Sequence, residues 1–508
     1  MRLASRLFAI SAILELMFAS GAASAKLSDK TYYDKVYGGW TGKCVGGALG
    51  MPIEGWGYRD IQAKHGEITG YLGYFSDDAG MGWSQMLKMV DIATDGEWRH
   101  YTATVEVPCV DPNWYAVPII GMSFEASVKP ASYVLKNLRV LYPTPTDSAI
   151  WALSDGCHAA PDGQLQFDFT GSRAWARMNS QLGKTLSIES GSQVLLSFDA
   201  KWISGDNRVG VAFDYKRKGG RKGFGPDDDT TYEILGLHAL ETYGPDLSSK
   251  HIAKEWLDHL GGGDPSSQLA EHIALGRLSR GILPPESGNH PVGEAIGGQM
   301  RAEIWGLVCP GRPDLAAEYA RRDGVVAHRD NGVYGEQFVA AMVSAAFYEK
   351  DVRKLIDIGL RHIPADCKYA DVVREVIGWH QTYPNWRETI REVKAKYPGI
   401  CDPVYAEAGI VTLALLYGNG DFDKTVLIAA MCGSDTDCNT ATVGALMGVM
   451  HGEKAISKKW KTPIANRFTC FVSGLEEWKI SELAKRICSA GRKVMQRHGD
   501  GMKFTEAL

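Results

Sequence analysis

Cys432-Gly433-Ser434-Asp435-Thr436-Asp437-Cys438-Asn439-Thr440 sets two carboxylates two residues apart among small neighbours. The run that follows, Ala441, Val443, Gly444, Ala445, Leu446, Gly448 and Val449, is apolar and mostly small. Such a run reads as a tightly packed, buried helix. Buried carboxylates are costly unless a cation faces them, so two aspartates at the mouth of that helix require a partner. A divalent metal suits them, because hard cations such as Mg2+ take carboxylate and hydroxyl oxygens.

A second acidic cluster opens another helix. Gly225-Pro-Asp-Asp-Asp-Thr-Thr-Tyr232 leads into apolar residues at helical spacing. Asp and Thr are good helix N-caps, so a cap and a solvated turn account for these three aspartates when they are taken alone. Both clusters together are harder to read as caps. Asp228-Asp229 and Asp435-x-Asp437 would supply four carboxylates, enough for two divalent cations. Such an arrangement serves metal-assisted attack, or the holding of a vicinal diol.

Near the N-terminus, Gly38, Gly42, Gly46 and Gly50 recur every four residues. They form one stripe of a helix, along which another helix can approach closely. Pro52 ends that helix and Glu54 follows on the loop, where a lone glutamate is ordinarily solvated. Gly42-Lys43 lacks the upstream glycine of a phosphate-binding loop.

Between about residues 68 and 222 the texture changes. Tyr101–Val107, Leu138–Tyr142, Leu165–Phe169, Val194–Ala200 and Val209–Tyr215 alternate apolar and polar residues between turn signals, which predicts strands. From 223 onward the chain is a series of helical segments with short Gly and Pro breaks. The expected architecture is therefore multi-domain. An all-α domain, 26–67 plus 223–508, is interrupted by an all-β insertion at 68–222, a sandwich. Within the insertion, Gly96-Glu-Trp-Arg-His-Tyr101 and Tyr133–Leu141 resemble the C-terminal half of a carbohydrate-binding jelly roll, yet precede the stretch that resembles its N-terminal half. The insertion either contacts glycan or only props and shades the catalytic face. Exposure of Trp98, Trp114, Trp151 or Trp175 favours the first.

The bulk properties narrow the class. At 508 residues, with 45% hydrophobic and 23% charged, the chain is globular and larger than one ordinary core. A net charge of -5 leaves no basic footprint for nucleic acid. Arg2 and Arg6, the apolar Leu7–Phe18 stretch and Ala23-Ser24-Ala25 read as a leader, 1–25, cleaved near Ala25. The mature protein is then exported, periplasmic or extracellular, with no transmembrane segment. The ten cysteines show no dense disulfide framework. Cys109 and Cys157 are candidates to pair, and most of the others read as buried thiols.

With these motifs in order, the chain resembles the ADP-ribosylglycohydrolase family. The resemblance rests on Gly46-Gly-Ala-Leu-Gly-Met-Pro-Ile-Glu54, Asp228-Asp229-Thr230, Gln299–Gly306, Ala320–His328, Asn331–Gly335 and Gly433-Ser-Asp-Thr-Asp437. It implies an all-α domain holding two Mg2+ ions, with Mn2+ an acceptable replacement. By that resemblance Asp228, Asp229, Asp435 and Asp437 are metal ligands, with Asp227 and Cys438 beside them. Glu54 lies over the site as the acid/base or substrate-positioning group, and Glu54, Asp229 and Asp435 form the catalytic set. The implied reaction is hydrolysis of an N- or O-glycosidic bond of an ADP-ribosyl, ribosyl or furanosyl conjugate, through an oxocarbenium-like state. The implied partner is a small molecule or glycoconjugate.

Several positions depart from the family pattern. Asp227 stands where a threonine is usual, Cys438 where a hydroxyl residue is usual, Met51 for a small residue and Gly47 for an aspartate. A thiol is a softer ligand than Mg2+ prefers. Asp227 and Cys438 support a rival reading, an inactive exported protein that binds a nucleotide sugar or glycan. A purely structural envelope protein would have neither metal nor pocket.

Overall fold

The computed structural model describes residues 27–75, 80–106, 114–120, 131–142, 151–153, 157–161, 164–169, 176–178, 193–217, 223–260 and 270–498. Its first helices are α1 (Asp29–Gly50) and α2 (Tyr58–His65). The strands follow: β1 (Gly80–Asp91), β2 (Arg99–Glu106), β3 (Trp114–Ile120), β4 (Ala131–Tyr142), β5 (Trp151–Leu153), β6 (Cys157–Ala160), β7 (Gln164–Phe169), β8 (Ala176–Met178), β9 (Gln193–Gly205) and β10 (Arg208–Arg217). Then come α3 (Asp228–Tyr243), α4 (Ser249–His259), α5 (Ala270–Leu278), α6 (Gly297–Met300), α7 (Glu303–Leu307), α8 (Pro313–Gly324) and α9 (Asp330–Ala345). The series continues with α10 (Val352–Leu360), α11 (Lys368–Thr382), α12 (Trp386–Lys396), α13 (Tyr405–Gly418), α14 (Phe422–Met431) and α15 (Thr436–His451). Last are α16 (Lys458–Ile464), the short strands β11 (Arg467–Thr469) and β12 (Glu477–Lys479), and α17 (Ile480–Arg497).

The glycine stripe of α1 lies against α15. A Cβ on Gly42 would sit 2.0 Å from the Gly444 carbonyl oxygen, and one on Gly46 would sit 2.1 Å from that of Thr440. Gly38 faces Gly448 and Gly50 faces Thr436 in the same way. As the position on α1 rises by four, its partner on α15 falls by four, so the two helices run antiparallel with backbone against backbone. Thr436 Oγ1 donates to the Gly50 carbonyl at 2.8 Å, which joins the C-terminal end of α1 to the N-terminal end of α15. This crossing brings the Glu54 loop to the Asp435 motif.

Around that pair, the remaining helices bury one large cluster that includes Trp40, Trp256, Trp305 and Trp460. Within the helical series, α6 and α7 are separated by a break at Arg301. That side chain is buried and donates to Glu271 Oε1 at 2.7 Å. The pair β11–β12 is an addition within the helical half that alternation did not reveal. No helix among the described residues is long and apolar enough to cross a membrane.

The ten strands form two antiparallel five-stranded sheets, ordered β1-β10-β3-β8-β5 and β2-β9-β4-β7-β6. Ile120, Val209 and Val211 of the first share a buried cluster with Ala103, Leu135, Val140, Phe167 and Phe198 of the second. Four of the five predicted strands lie within β4, β7, β9 and β10, and Tyr101–Val107 coincides with β2 up to Glu106, Val107 lying outside the described residues. Cys157 carries a free, buried thiol, so it does not pair as expected. Trp98 is half-buried, with Lys136 Nζ 4.1 Å above its ring. Trp175, Cys109 and the leader lie outside the described residues, as do the side chains of Trp114 and Trp151.

Candidate functional site

Asp227 occupies the N-cap position of α3 and Asp435 that of α15, yet neither side chain makes a capping hydrogen bond. Capping therefore does not account for Asp227 or Asp435, although Asp228 Oδ1 accepts from the Asp229 N–H at 3.2 Å. Asp229, Asp437 and Cys438, all buried, place one ligand atom each within 4.8 Å of one another, as do Asp227, Asp228 and Asp229, of which Asp228 is half-buried. Asp229 belongs to both groups, so the two sequence motifs meet in space. Asp227 Oδ1, Asp229 Oδ2, Asp435 Oδ1 and Asp437 Oδ1 are buried without a hydrogen-bond partner. Carboxylate oxygens in that state cost several kcal/mol of lost hydration unless a cation faces them.

The electrostatics agree with the geometry. Burial, then the charges of Glu54, Asp435, Asp227 and Asp229, push the Asp437 carboxyl well above the usual range. Burial and Asp229 do the same to Asp227. Asp229 is pushed up to about 6 by burial, with Lys43 pulling against it. Burial and the surrounding aspartates drive the Cys438 thiol well up, and its hydrogen points at Met300 Sδ, 3.8 Å away. Each of these groups would shed its proton more readily beside a divalent ion.

The loop of Glu54 is stitched to the turn that carries the motif. Gly55 N–H donates to the Ser434 carbonyl and Ser434 N–H to that of Trp56, each at 2.8 Å. Gly433 has φ 73° and would bring a Cβ to 2.2 Å from the Trp56 oxygen, so glycine is required there. Ser434 also adopts a left-handed conformation, φ 77°. Its hydroxyl donates to Glu407 Oε1 at 2.7 Å and accepts from Lys394 Nζ at 2.6 Å, which holds it there. Glu54 itself is half-buried.

Four contributors were not singled out from sequence. Lys43 is buried in α1, with Nζ 3.4 Å from Asp229 Oδ1, 3.2 Å from Glu233 Oε1 and 3.0 Å from Glu303 Oε2. A lysine among Gly42, Cys44, Val45 and Gly46 in a close-packed stripe was its available signal. Glu407, buried in α13, also accepts from Asn439 Nδ2 at 2.5 Å. Cys401 donates its thiol hydrogen to Asp435 Oδ2 at 3.1 Å. Lys394 reaches the site through Ser434. The departure at Gly47 has a steric counterpart: a Cβ there would meet the Phe224 ring at 2.6 Å, so that ring fills the space beside it.

The sequence profile described as ADP-ribosylglycohydrolase matches residues 28–105 and 191–496. A solved structure titled "ADP-ribosylglycohydrolase-related protein complex" is similar at 17% identity, with a TM-score of 0.38, covering 53% of this chain and 81% of that one. No curated protein matches.

Proposed function

This chain belongs to the ADP-ribosylglycohydrolase family, a family of glycosidic hydrolases, and from that premise we propose that it cleaves an N- or O-glycosidic bond of an ADP-ribosyl or related furanosyl conjugate. The observation that carries the reading is the set of four partnerless, buried carboxylate oxygens on Asp227, Asp229, Asp435 and Asp437. That donor set fits divalent cations. In the proposal Asp228, Asp229, Asp435 and Asp437 hold two Mg2+ ions, or Mn2+, with Asp227 and Cys438 alongside. Bound there, the ions would supply polarisation of substrate oxygens and a fixed frame for a vicinal diol.

The chain's own residues do the rest. Asp229 and Asp435 orient the reacting sugar from opposite motifs. Glu54, on the loop tied to the Gly433-Ser434 turn, holds or moves a proton at its carboxylate as the leaving group departs. Lys43 fixes Asp229 from behind, and Glu407 fixes the turn before Asp435. In domain terms, we propose that 26–67 and 223–508 form the hydrolase and that 68–222 is a sandwich inserted into it, in glycan contact or shading the site.

Asp227 and Cys438 favour a second reading, a binder of nucleotide sugar or glycan without turnover. Calorimetry with Mg2+ on the wild type and on Asp435→Ala/Asp437→Ala separates these readings when combined with a screen of ADP-ribosyl and furanosyl conjugates. Mg2+ binding that the variant loses, together with release of the sugar, supports the hydrolase. Conjugate binding with no release by the metal-loaded protein sinks it in favour of the binder.

A further inference from the structure

The geometry points to a second, separate metal site, formed by His238, Glu255 and His259 and suited to a borderline transition ion such as Zn2+. Glu255 and His259 stand four residues apart on α4, so they share one face, and His238 comes from the facing helix α3. One ligand atom from each lies within 4.8 Å of the others. Glu255 is only 3% exposed, whereas the two imidazoles are 27% and 26% exposed, so an ion can reach a buried carboxylate through them.

The hydrogen bonding at His259 leaves a place between two acceptors that a metal or a proton would fill. Its Nδ1 lies 3.3 Å from the Ser473 carbonyl oxygen. A carbonyl only accepts, so Nδ1 carries the hydrogen, and in the neutral ring Nε2 is left as a lone pair. That Nε2 faces Glu255 Oε2 at 3.3 Å. Two acceptors cannot face one another at this distance without a proton or a metal between them. The 3.3 Å spacing is also about the edge of a tetrahedron with Zn–N and Zn–O bonds of roughly 2.0–2.1 Å. His238 Nδ1 shares a hydrogen with the same Glu255 oxygen, a hydrogen that an incoming ion would displace as that contact opens, and the two imidazole rings meet edge-on with centroids 4.7 Å apart. A backbone carbonyl that fixes the far nitrogen of a metal-binding histidine is the usual support for such a ligand.

Two histidines and one carboxylate leave a fourth position for water. Imidazole selects Zn2+, Cu2+ or Ni2+ over Mg2+, so this site would not compete for the ions proposed at the acidic cluster. A bound ion would tie α3, which carries Asp228 and Asp229 at its other end, to α4 and to the Ser473 segment.

The test uses the full chain, stripped with EDTA and titrated with Zn2+ in millimolar Mg2+. His238→Gln/His259→Gln is compared with Asp229→Asn/Asp437→Asn/Cys438→Ser, in which the acidic cluster is removed. The site predicts that the cluster variant keeps a zinc equivalent and a zinc-dependent rise in unfolding temperature, and that the histidine variant loses both. A folded histidine variant that takes zinc as tightly as the wild type overturns the site, leaving His259 a protonated ion-pair partner of Glu255. If either variant fails to fold, Co2+ bound to the wild-type chain decides. Visible d–d bands without a thiolate charge-transfer band support the site, and a thiolate band alone rejects it.

Discussion

Lys43 Nζ lies 3.4 Å from Asp229 Oδ1, with both side chains buried. A cation on the glycine-striped helix thus faces the aspartate that belongs to both ligand groups. The same ammonium also faces Glu233 and Glu303 and donates to the Met300 carbonyl at 2.7 Å. Lys43→Met would leave three buried carboxylates without it. Breaking a buried pair costs about 3–5 kcal/mol, and urea unfolding should show a loss of that order. A loss under about 1 kcal/mol would mean that the carboxylates simply take up protons.

Glu407 acts on Asp435 through the turn before it. Glu407→Ala leaves Ser434 Oγ and Asn439 Nδ2 without their buried acceptor, which costs about 1–3 kcal/mol for each orphaned group. Support of this kind to metal ligands is typically worth about 10–100-fold in affinity. For the proposed Mg2+ site, calorimetry should therefore show weaker binding by a factor in that range, and unchanged binding would remove Glu407 from the site.

Two glycines, one inside the α1–α15 crossing and one outside it, make opposite predictions. Gly42→Ala drives a Cβ to 2.0 Å from the Gly444 carbonyl oxygen. Backbone on both sides cannot yield cheaply, so the loss should reach about 3 kcal/mol, the upper end of ordinary overpacking. Gly378 is exposed inside α11 with nothing within 4 Å of its added Cβ. Gly378→Ala should stabilise by about 0.5–1 kcal/mol, because alanine loses less backbone freedom in a helix. Thermal unfolding of both variants checks the contrast.

Glu271 gives a pH signature. Burial alone would raise its carboxyl, but the adjoining His328 and Arg301 overcome that and hold it at about 2, against 4.5 in the unfolded chain. The folded protein therefore binds this proton less readily than the unfolded one. The group contributes stability above about pH 4.5, and the contribution is lost as pH falls toward 2. Glu271→Gln should be less stable than wild type by about 3–5 kcal/mol at pH 7. The gap should narrow between pH 4.5 and 2 in denaturant unfolding, and a gap independent of pH would show that charge is not its source.

The acidic motifs and the helices after them were legible because their signals are local. A stripe of glycines, an aspartate before an apolar run and alternation along a strand each concern residues within one element. The break between α6 and α7 was not legible, since Arg301 sits there paired with Glu271, an ion pair between residues thirty apart. The free thiol of Cys157, on β6 paired with β7, was likewise not legible from the spacing of the cysteines.

By itself, the sequence determined that helices begin at Asp228 and near Asp435, that α1 could approach a partner closely, and that strands lie between the helical segments. Periodicity settles those points, because side-chain spacing along one element fixes which face is apolar. Only the tertiary structure decided that α15 is the partner of α1, that Asp229, Asp437 and Cys438 meet, and that Lys43, Glu407 and Cys401 join them. A carboxylate's environment is set by whichever helices pack around it, and burial makes that environment act strongly over a few ångströms. The same holds for His238, Glu255 and His259, whose meeting depends on how α3 packs against α4.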